Sequence, residues 1–596
     1  MSQQSRTGGE WVVEALVAEG VRHVFGLPGI HNLAIYDALL RAPALTHVLT
    51  RHEQGAAFMA DGYARASGRP GVVLVTTGPG ATNTLTPLAE SYAGSQPVLV
   101  LMSDVPLALI GRDLGALHEV PNQIACFRPV TRWAETILEA RDIPGAVQGA
   151  FHLFRTGRPG PIALSLPTDL LTARVGAAVR PPATDRRPPC DVRLIAAAAE
   201  RLAPARRPLI VAGGGVVAAE AGAELQALAT RLGAPVITTV MGRGSLAETD
   251  PLWLGVLPNK RATQAALEAA DVVLAVGCRF AHRSTHGLLL NLALRPDQAL
   301  LHLDLDPTVI GKVYAPALGI VGDARDGLAG LLLALGPGPA ESEWDWTALA
   351  SARAARWPRQ TAEVDRLLRV LRDALAPDAI VACDQTGLNY WMEWYFPVYA
   401  PRTFLYPVGS ATLGYAVPAA IGAKIAHPER QVVAVAGDGG FLFSVNELAT
   451  AVKYRLPIVF VVLNDQRYGA IKWLQEAIFG RWGETDLANP DFPALARAFG
   501  AEGWRVADLE ALPEALARAL RHPGPTLVEI PLAVDPPWEL GSKGGSAPLP
   551  NLPRGGRGGA AARSGTPRRV RPGSTGCVPP RRGACDGPRR AFPDGF

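Results

Sequence analysis

The sequence predicts an α/β protein built from three parallel-sheet domains, and three observations lead there. Six short runs are apolar nearly throughout, each ending in turn residues and preceding a helix-like segment: VVLVTTGPG (72–80), PVLVLMSD (97–104), PLIVAGGG (208–215), DVVLAVG (271–277), VVAVAGDGG (432–440) and PIVFVVLND (457–465). Two stretches rich in Pro, Arg and Gly, RPPATDRRPPCD (180–191) and GPGPAESEWDW (336–346), cut the pattern into thirds. The length of 596 residues, 48% hydrophobic, excludes one small domain, since domains average about 100–200 residues.

A strand that is apolar along its whole length is buried on both faces, as in a parallel sheet flanked by helices; a half-solvated strand would alternate. Two such runs fall in each third, which sets the expected domains at 1–178, 190–335 and 355–537, with the two Pro-rich stretches as linkers. Gly and Pro make up 22 of the last 56 residues, too few apolar side chains to offset the entropy of ordering, so 541–596 is expected to be a disordered tail. Eleven Lys and Arg against two Asp put +9 on that tail and leave residues 1–540 at −5, although the whole chain is +4. Without interleaved aromatics the tail predicts only non-specific, salt-sensitive contact with nucleic acid. Six scattered cysteines form no CxxC pair, which argues against disulfide frameworks and zinc sites. No run reaches the ~18 apolar residues of a membrane span, and the opening MSQQSRTGGEWVVEALVAEG lacks a signal-peptide layout; a cytoplasmic protein without a membrane partner is expected.

Ligands of α/β domains bind where strand carboxyl ends meet helix amino ends, because free N–H groups and the helix dipole favour phosphate there. Three glycine turns compete. Gly213-Gly214-Gly215-Val216-Val217-Ala218 matches GxGxxA, but RLGAPVITTV downstream has no acidic residue for a ribose, and a turn that packs a helix is the better reading. Gly78-Pro79-Gly80-Ala81-Thr82-Asn83 is a weak signal alone. In the third, Asp438 of Gly437-Asp438-Gly439-Gly440 and Asp465 of Asn464-Asp465 end consecutive strands and come side by side, which suits a hard cation such as Mg²⁺ holding a diphosphate. Taken alone, Asp438 could equally cap a helix beginning near Phe441.

These residues resemble the thiamine diphosphate enzymes of the acetolactate synthase and 2-oxo acid decarboxylase group, whose signature of GDG followed by Asn-Asn appears here as Gly437-Asp438-Gly439 and Asn464-Asp465. Further matches follow in the family's order over residues 8–535: VFGLPG (24–29), RHEQGAA (51–57), ADGYAR (60–65), TGPGATN (77–83) and LGYAVPAA (413–420). The tail has no counterpart. The resemblance implies a pyrimidine-binding domain, a central domain and a diphosphate-binding domain, each a parallel α/β sandwich. It implies a homodimer or homotetramer in which the cofactor lies between one subunit's first domain and its partner's third. Glu53 and Asp438, 385 residues apart, would then serve one thiamine diphosphate from two chains.

By that resemblance Glu53 hydrogen-bonds the aminopyrimidine and relays the proton that activates the thiazolium, the electron sink for decarboxylation through an enamine/carbanion intermediate. Burial would raise such a carboxyl's pKa towards neutrality. Leu413 would bend the cofactor from beneath. Asp438, Asp465 and the Arg467 main-chain carbonyl are the implied Mg²⁺ ligands. Thr77, Gly78, Pro79, Asn83, Thr386, Gly437, Gly439, Gly440, Asn464, Tyr468 and Gly469 complete the implied cofactor contacts. Asp465 replaces the commoner Asn and is expected to tighten metal binding.

Acetolactate synthases have Phe-Gln-Glu where this chain reads Leu117-His118-Glu119, so an imidazole replaces the glutamine. His118 is placed in principle to protonate the intermediate after CO₂ leaves, which would favour simple decarboxylation over carboligation; equally, it reads as a hydrogen-bonded structural residue. With Ile30, His31 and Gln123, the stretch is similar to decarboxylases of 5-guanidino-2-oxopentanoate, in which Glu119 would meet a cationic substrate end. Lys472 and Trp473, with Tyr468, are candidates for the substrate entrance, or equally a packed helix face. In the central domain Arg279–Thr285 keeps part of a flavin-enzyme pattern, which leaves room for FAD without supporting it. The leading expectation is therefore non-oxidative release of CO₂ and an aldehyde from a small-molecule 2-oxo acid. The alternatives are acetolactate synthase-like carboligation and a non-catalytic scaffold, against which Glu53 argues.

Overall fold

The computed structural model describes residues 5–182, 186–257, 259–282, 294–295, 297–338, 341–355 and 360–538; the tail, 541–596, lies outside the described residues. All six apolar runs are strands, buried at every position: Gly71–Val75, Val98–Asp104, Pro208–Ala212, Val272–Val276, Val432–Gly437 and Ile458–Leu463. They pair in parallel two by two, and each pair is the centre of a six-stranded sheet. The three-domain α/β architecture expected from the sequence is thus the one observed.

The first sheet runs, edge to edge, Thr46–Leu49, His23–Gly26, Gly71–Val75, Val98–Asp104, Ile162–Pro167 and Trp133–Thr136. The second runs Trp253–Val256, Val236–Thr238, Pro208–Ala212, Val272–Val276, Ala299–Asp304 and Leu318–Val321. The third runs Phe404–Leu405, Ile380–Cys383, Val432–Gly437, Ile458–Leu463, Thr526–Ile530 and Glu502–Arg505. A short antiparallel pair, Ser5–Thr7 with Arg174–Gly176, fastens the start of the first domain to its end. The GxGxxA turn is structural: a Cβ on Gly213 would lie 2.1 Å from the Gly277 carbonyl oxygen, so that glycine is needed for strand-end packing. Among the described residues no helix is long and apolar enough to cross a membrane.

The first and third domains meet through two helices, Glu53–Ser67 and Ala416–Ala426, made largely of Gly and Ala. A Cβ on Gly62 would lie 2.3 Å from the Ala419 carbonyl oxygen, and one on Gly422 would lie 1.9 Å from that of Met59, so the two backbones touch. A fully buried polar network locks the contact. Arg65 pairs with Asp61 (2.5 Å) and Glu90 (3.1 Å), and Asp61 also accepts from Tyr415 Oη (3.0 Å) and Ser91 Oγ (2.8 Å). The ADGYAR and LGYAVPAA segments therefore build the interdomain seam.

Candidate active site

The helix Glu53–Ser67 starts where His52, in extended conformation, accepts the Gln54 N–H on its ring Nδ1 (3.0 Å), which puts Glu53 on the first helical position at the tip of the first sheet. Asn83 Nδ2 donates to Glu53 Oε2 (3.0 Å), and a Cβ on Gly80 would lie 3.5 Å from Glu53 Oε1, so the Thr77–Asn83 turn rests against this carboxylate. The same turn reaches His118 on its other flank. Gly78, at φ +64°, has its Cα packed on the His118 backbone, with a Cβ there 2.3 Å from the carbonyl oxygen. Its N–H donates to Gln123 Oε1 (2.7 Å), while Gln123 Nε2 donates to the Ser103 carbonyl (2.9 Å) and the buried Thr77 hydroxyl meets Ser103 Oγ (3.1 Å). Pro79 begins the short helix after the turn.

His118 itself holds φ +62°, a strained conformation for a side chain other than glycine. Its ring lies edge-to-face with His31, centroids 5.5 Å apart, and Nδ1 of both rings is buried without a protein partner. Burial and the neighbouring His118 lower the His31 pKa, so that ring is neutral at pH 7. Ile30 is exposed beside it. Glu119 turns back on its own loop, accepting the Leu114 (3.1 Å) and Ala116 (2.9 Å) N–H groups on Oε2, while buried Oε1 has no partner.

In the third domain, Gly437 pairs in register with Leu463, so Asp438 and Asn464-Asp465 leave adjacent parallel strand ends. Asp438 is the first residue of the helix Asp438–Leu442, which begins earlier than Phe441, and accepts its neighbour Gly439's N–H (2.8 Å). Burial raises the pKa of both Asp438 and Asp465, and the charge of Asp438 raises that of Asp465 further. The glycines leave little space for side chains. A Cβ on Gly439 would lie 2.6 Å from the Tyr468 ring, on Gly440 2.7 Å from Asp384 Oδ1, on Gly469 2.8 Å from Asp465 Oδ2, and on Gly437 3.0 Å from Thr386 Oγ1. Two mutually repelling, half-desolvated carboxylates beside a glycine-lined helix start fit a divalent cation holding a diphosphate. Asp465 is not left bare, however: Arg467 Nε donates to its Oδ2 at 3.0 Å, which offsets the extra charge relative to Asn. Lys472 lies over the Trp482 ring (3.5 Å), and buried Trp473 packs edge-on against Trp538 (5.9 Å).

Leu413 sits half-buried on a turn anchored by Asp384, whose carboxylate accepts the N–H groups of Gly414 (3.1 Å) and Ala416 (3.0 Å). On the other side Glu90 accepts those of Gly409 and Ser410 (2.7 Å to the latter). Burial pushes the Asp384 carboxyl up to about 6. Sequence reasoning missed Asp384, and it missed Asn489, whose amide donates both to Asp438 Oδ2 (2.7 Å) and to Asn464 Oδ1 (3.0 Å). Neither carries a motif; each is recognised only by what it touches. No hydrogen bond or ion pair among the described residues joins the Glu53 group to the Asp438 group within one chain.

A cavity of about 220 Å³ opens between the three domains, lined by Arg65, Arg158, Arg279 and Arg402 together with Asp304. Burial, with Arg158 and Arg132 nearby, depresses the Arg279 guanidinium to about 10. This lining does not select a flavin, and Arg283, Ser284 and Thr285 of the flavin-like segment lie outside the described residues.

Known families and proteins match this arrangement over most of the chain. Residues 6–126 match the thiamine pyrophosphate enzyme N-terminal TPP binding domain, 195–331 the central domain and 384–530 the C-terminal TPP binding domain. The chain is 36% identical over 584 residues to a probable acetolactate synthase large subunit of Methanocaldococcus jannaschii, covering 92% of this chain and 94% of the relative. It is 39% identical over 541 residues to a probable 2-ketoarginine decarboxylase AruI of Pseudomonas aeruginosa, covering 89% and 94%. It is 36% identical over 536 residues to the acetolactate synthase isozyme 3 large subunit of Escherichia coli, covering 87% and 92%. With its three sheets and its two strand-tip clusters, the chain belongs to the thiamine pyrophosphate enzyme family, in the acetolactate synthase and decarboxylase group.

Proposed function

We propose that the protein decarboxylates a 2-oxo acid with thiamine diphosphate and Mg²⁺, releasing CO₂ and an aldehyde, as a homodimer or homotetramer. The observation that carries this reading is the His31–His118 pair, two imidazoles in edge contact with buried, unpartnered Nδ1 atoms, on the opposite flank of the Thr77–Asn83 turn from Glu53. Asp438, Asp465 and the Arg467 carbonyl would hold the metal, and Gly439, Gly440 and Gly469 would admit the diphosphate. The bound cofactor supplies an electron sink for the carbanion left by CO₂.

The chain's own residues then handle protons. Asn83 fixes the Glu53 carboxylate through Oε2 and would leave Oε1 to hold or pass on a proton where the cofactor binds. His118 delivers a proton to the carbon that has lost CO₂, and neutral His31 orients the neighbouring ring. A glutamine in place of His118 could not supply that proton, which is why the imidazole favours aldehyde over transfer to a second carbonyl. The free Oε1 of Glu119 offers an acceptor for a cationic substrate end, in keeping with the 2-ketoarginine decarboxylase named among the relatives.

The test is to give purified protein thiamine diphosphate, Mg²⁺ and single 2-oxo acids, neutral and cationic, and to identify the products. Aldehyde and CO₂ support the reading. An acetohydroxy acid as the main product would establish the carboligation named in the acetolactate synthase relatives.

A further inference from the structure

We infer that Glu447 of the third domain is a positioning residue for Glu53, holding from another domain the turn that aims the first-domain carboxylate; this rests on the proton-relay role proposed for Glu53. Glu447 is fully buried, and its carboxylate accepts the Arg51 N–H at 3.1 and 3.2 Å on its two oxygens and the His52 N–H at 3.0 Å. Those two residues immediately precede Glu53, and their N–H groups lie ahead of the helix and have no helical partner. Thr450 Oγ1 donates to Oε2 at 2.6 Å and fixes the side chain. The carboxylate needs the glycine at position 55, where a Cβ would lie 2.2 Å from Oε1.

The grip continues seven residues on. The Tyr454 hydroxyl accepts the Leu49 N–H (2.8 Å) and donates to the His47 carbonyl (3.3 Å), so the segment 447–454 satisfies the open edge of the outermost strand, Thr46–Leu49. Glu447 lies on the same domain as Asp438, nine positions further along the chain. In a dimer that pairs Glu53 with the partner's third domain, each third domain would supply the metal ligands of one site and the support for the base of the other. Catalytic groups lose activity when displaced by about 1 Å, which gives such a support its value.

The experiment compares Glu447→Ala, Glu447→Gln, Gly55→Ala and Glu53→Gln in the full chain, by amide hydrogen exchange without cofactor and by steady-state kinetics with it. Glu447→Ala should lower protection of the Arg51 and His52 amides about ten-fold or more while leaving the strand 458–463 protected. It should lower kcat by about ten-fold or more with KM and cofactor affinity within about two-fold. Glu447→Gln, with one acceptor oxygen, should restore part of both. Gly55→Ala, which drives a methyl into the carboxylate without changing charge, should reproduce the pattern should Glu447→Ala fail to fold. Unchanged protection at 51–52, or loss of protection spread evenly over the protein, overturns the inference. So does an unchanged kcat beside an inactive Glu53→Gln. If Glu53→Gln itself turns over, the proton-relay role fails and, with it, the positioning role.

Discussion

Removing Arg65 should destabilise the seam between the first and third domains more than any other single substitution in it. Its guanidinium is buried between Asp61 and Glu90, both fully buried, and also donates to the Tyr406 carbonyl (3.0 Å). In Arg65→Ala the two carboxylates lose their shared counter-charge, and stranding a buried charge in this way costs about 3–5 kcal/mol. Unfolding entropy is about 2.1 cal/mol/K per residue, or about 1.1 kcal/mol/K for residues 1–540 melting as one unit. The apparent melting temperature should therefore fall by about 3–5 °C. Burial already pushes the Glu90 carboxyl up and Arg65 pulls it back, so the variant should hold a proton on Glu90 at higher pH than the parent. Adding Glu90→Gln to Arg65→Ala removes one stranded charge and should recover part of the loss, as read by calorimetry or circular dichroism melts near neutral pH. A shift below about 1 °C, or a double variant less stable than Arg65→Ala, would refute the reasoning.

Three further outcomes follow from the site. The Glu447 carboxyl is pushed up to about 7 by burial, from an ordinary 4.5, against hydrogen bonds from Thr450, Arg51 and His52. A carboxyl raised on folding contributes stability that is complete below its unfolded pKa and lost as pH rises through about 7. The parent should thus lose about 3 kcal/mol relative to Glu447→Gln between about pH 4.5 and pH 8, seen as a shift in the gap between their melting temperatures; a constant gap contradicts this. Arg467→Ala keeps the backbone carbonyl but removes the guanidinium from Asp465, and should lower the Mg²⁺ concentration for half-activation by about five-fold, for a pair worth about 1 kcal/mol; an unchanged or higher value counts against the metal assignment. His118→Gln should cut aldehyde formation about 10²-fold and divert product towards carboligation, as followed by product chromatography; undiminished aldehyde would remove His118 from proton transfer.

How far the sequence could be read depended on where each residue's partners lie. The six legible strands are the central two of each sheet, covered on both faces and both edges, so every side chain had to be apolar. Edge strands such as Trp133–Thr136 and Glu502–Arg505 are mostly half-buried or exposed and leave no such run. Asp438 and Asp465 were legible because each ends a central strand, and the glycine turn around them is local. Asp384, Asn489, Glu90 and Glu447 were not. Their hydrogen-bond partners lie 30, 51, 320 and 396 residues away, and nothing in a single Asp, Asn or Glu reports a contact at that range. The Arg467 carbonyl was read as a metal ligand, but the contact of its side chain with Asp465 was not legible for a related reason: two residues away in sequence, that side chain could have pointed anywhere until the fold aimed it.

The most direct test of the central claim is Glu53→Gln, a nearly isosteric change that keeps a contact with Asn83 and removes the ionisable group. With thiamine diphosphate and Mg²⁺ present, CO₂ release from a 2-oxo acid that the parent consumes is measured alongside cofactor binding by calorimetry. The account predicts that turnover falls by about 10²-fold or more while the cofactor still binds. Turnover within a few-fold of the parent would contradict it.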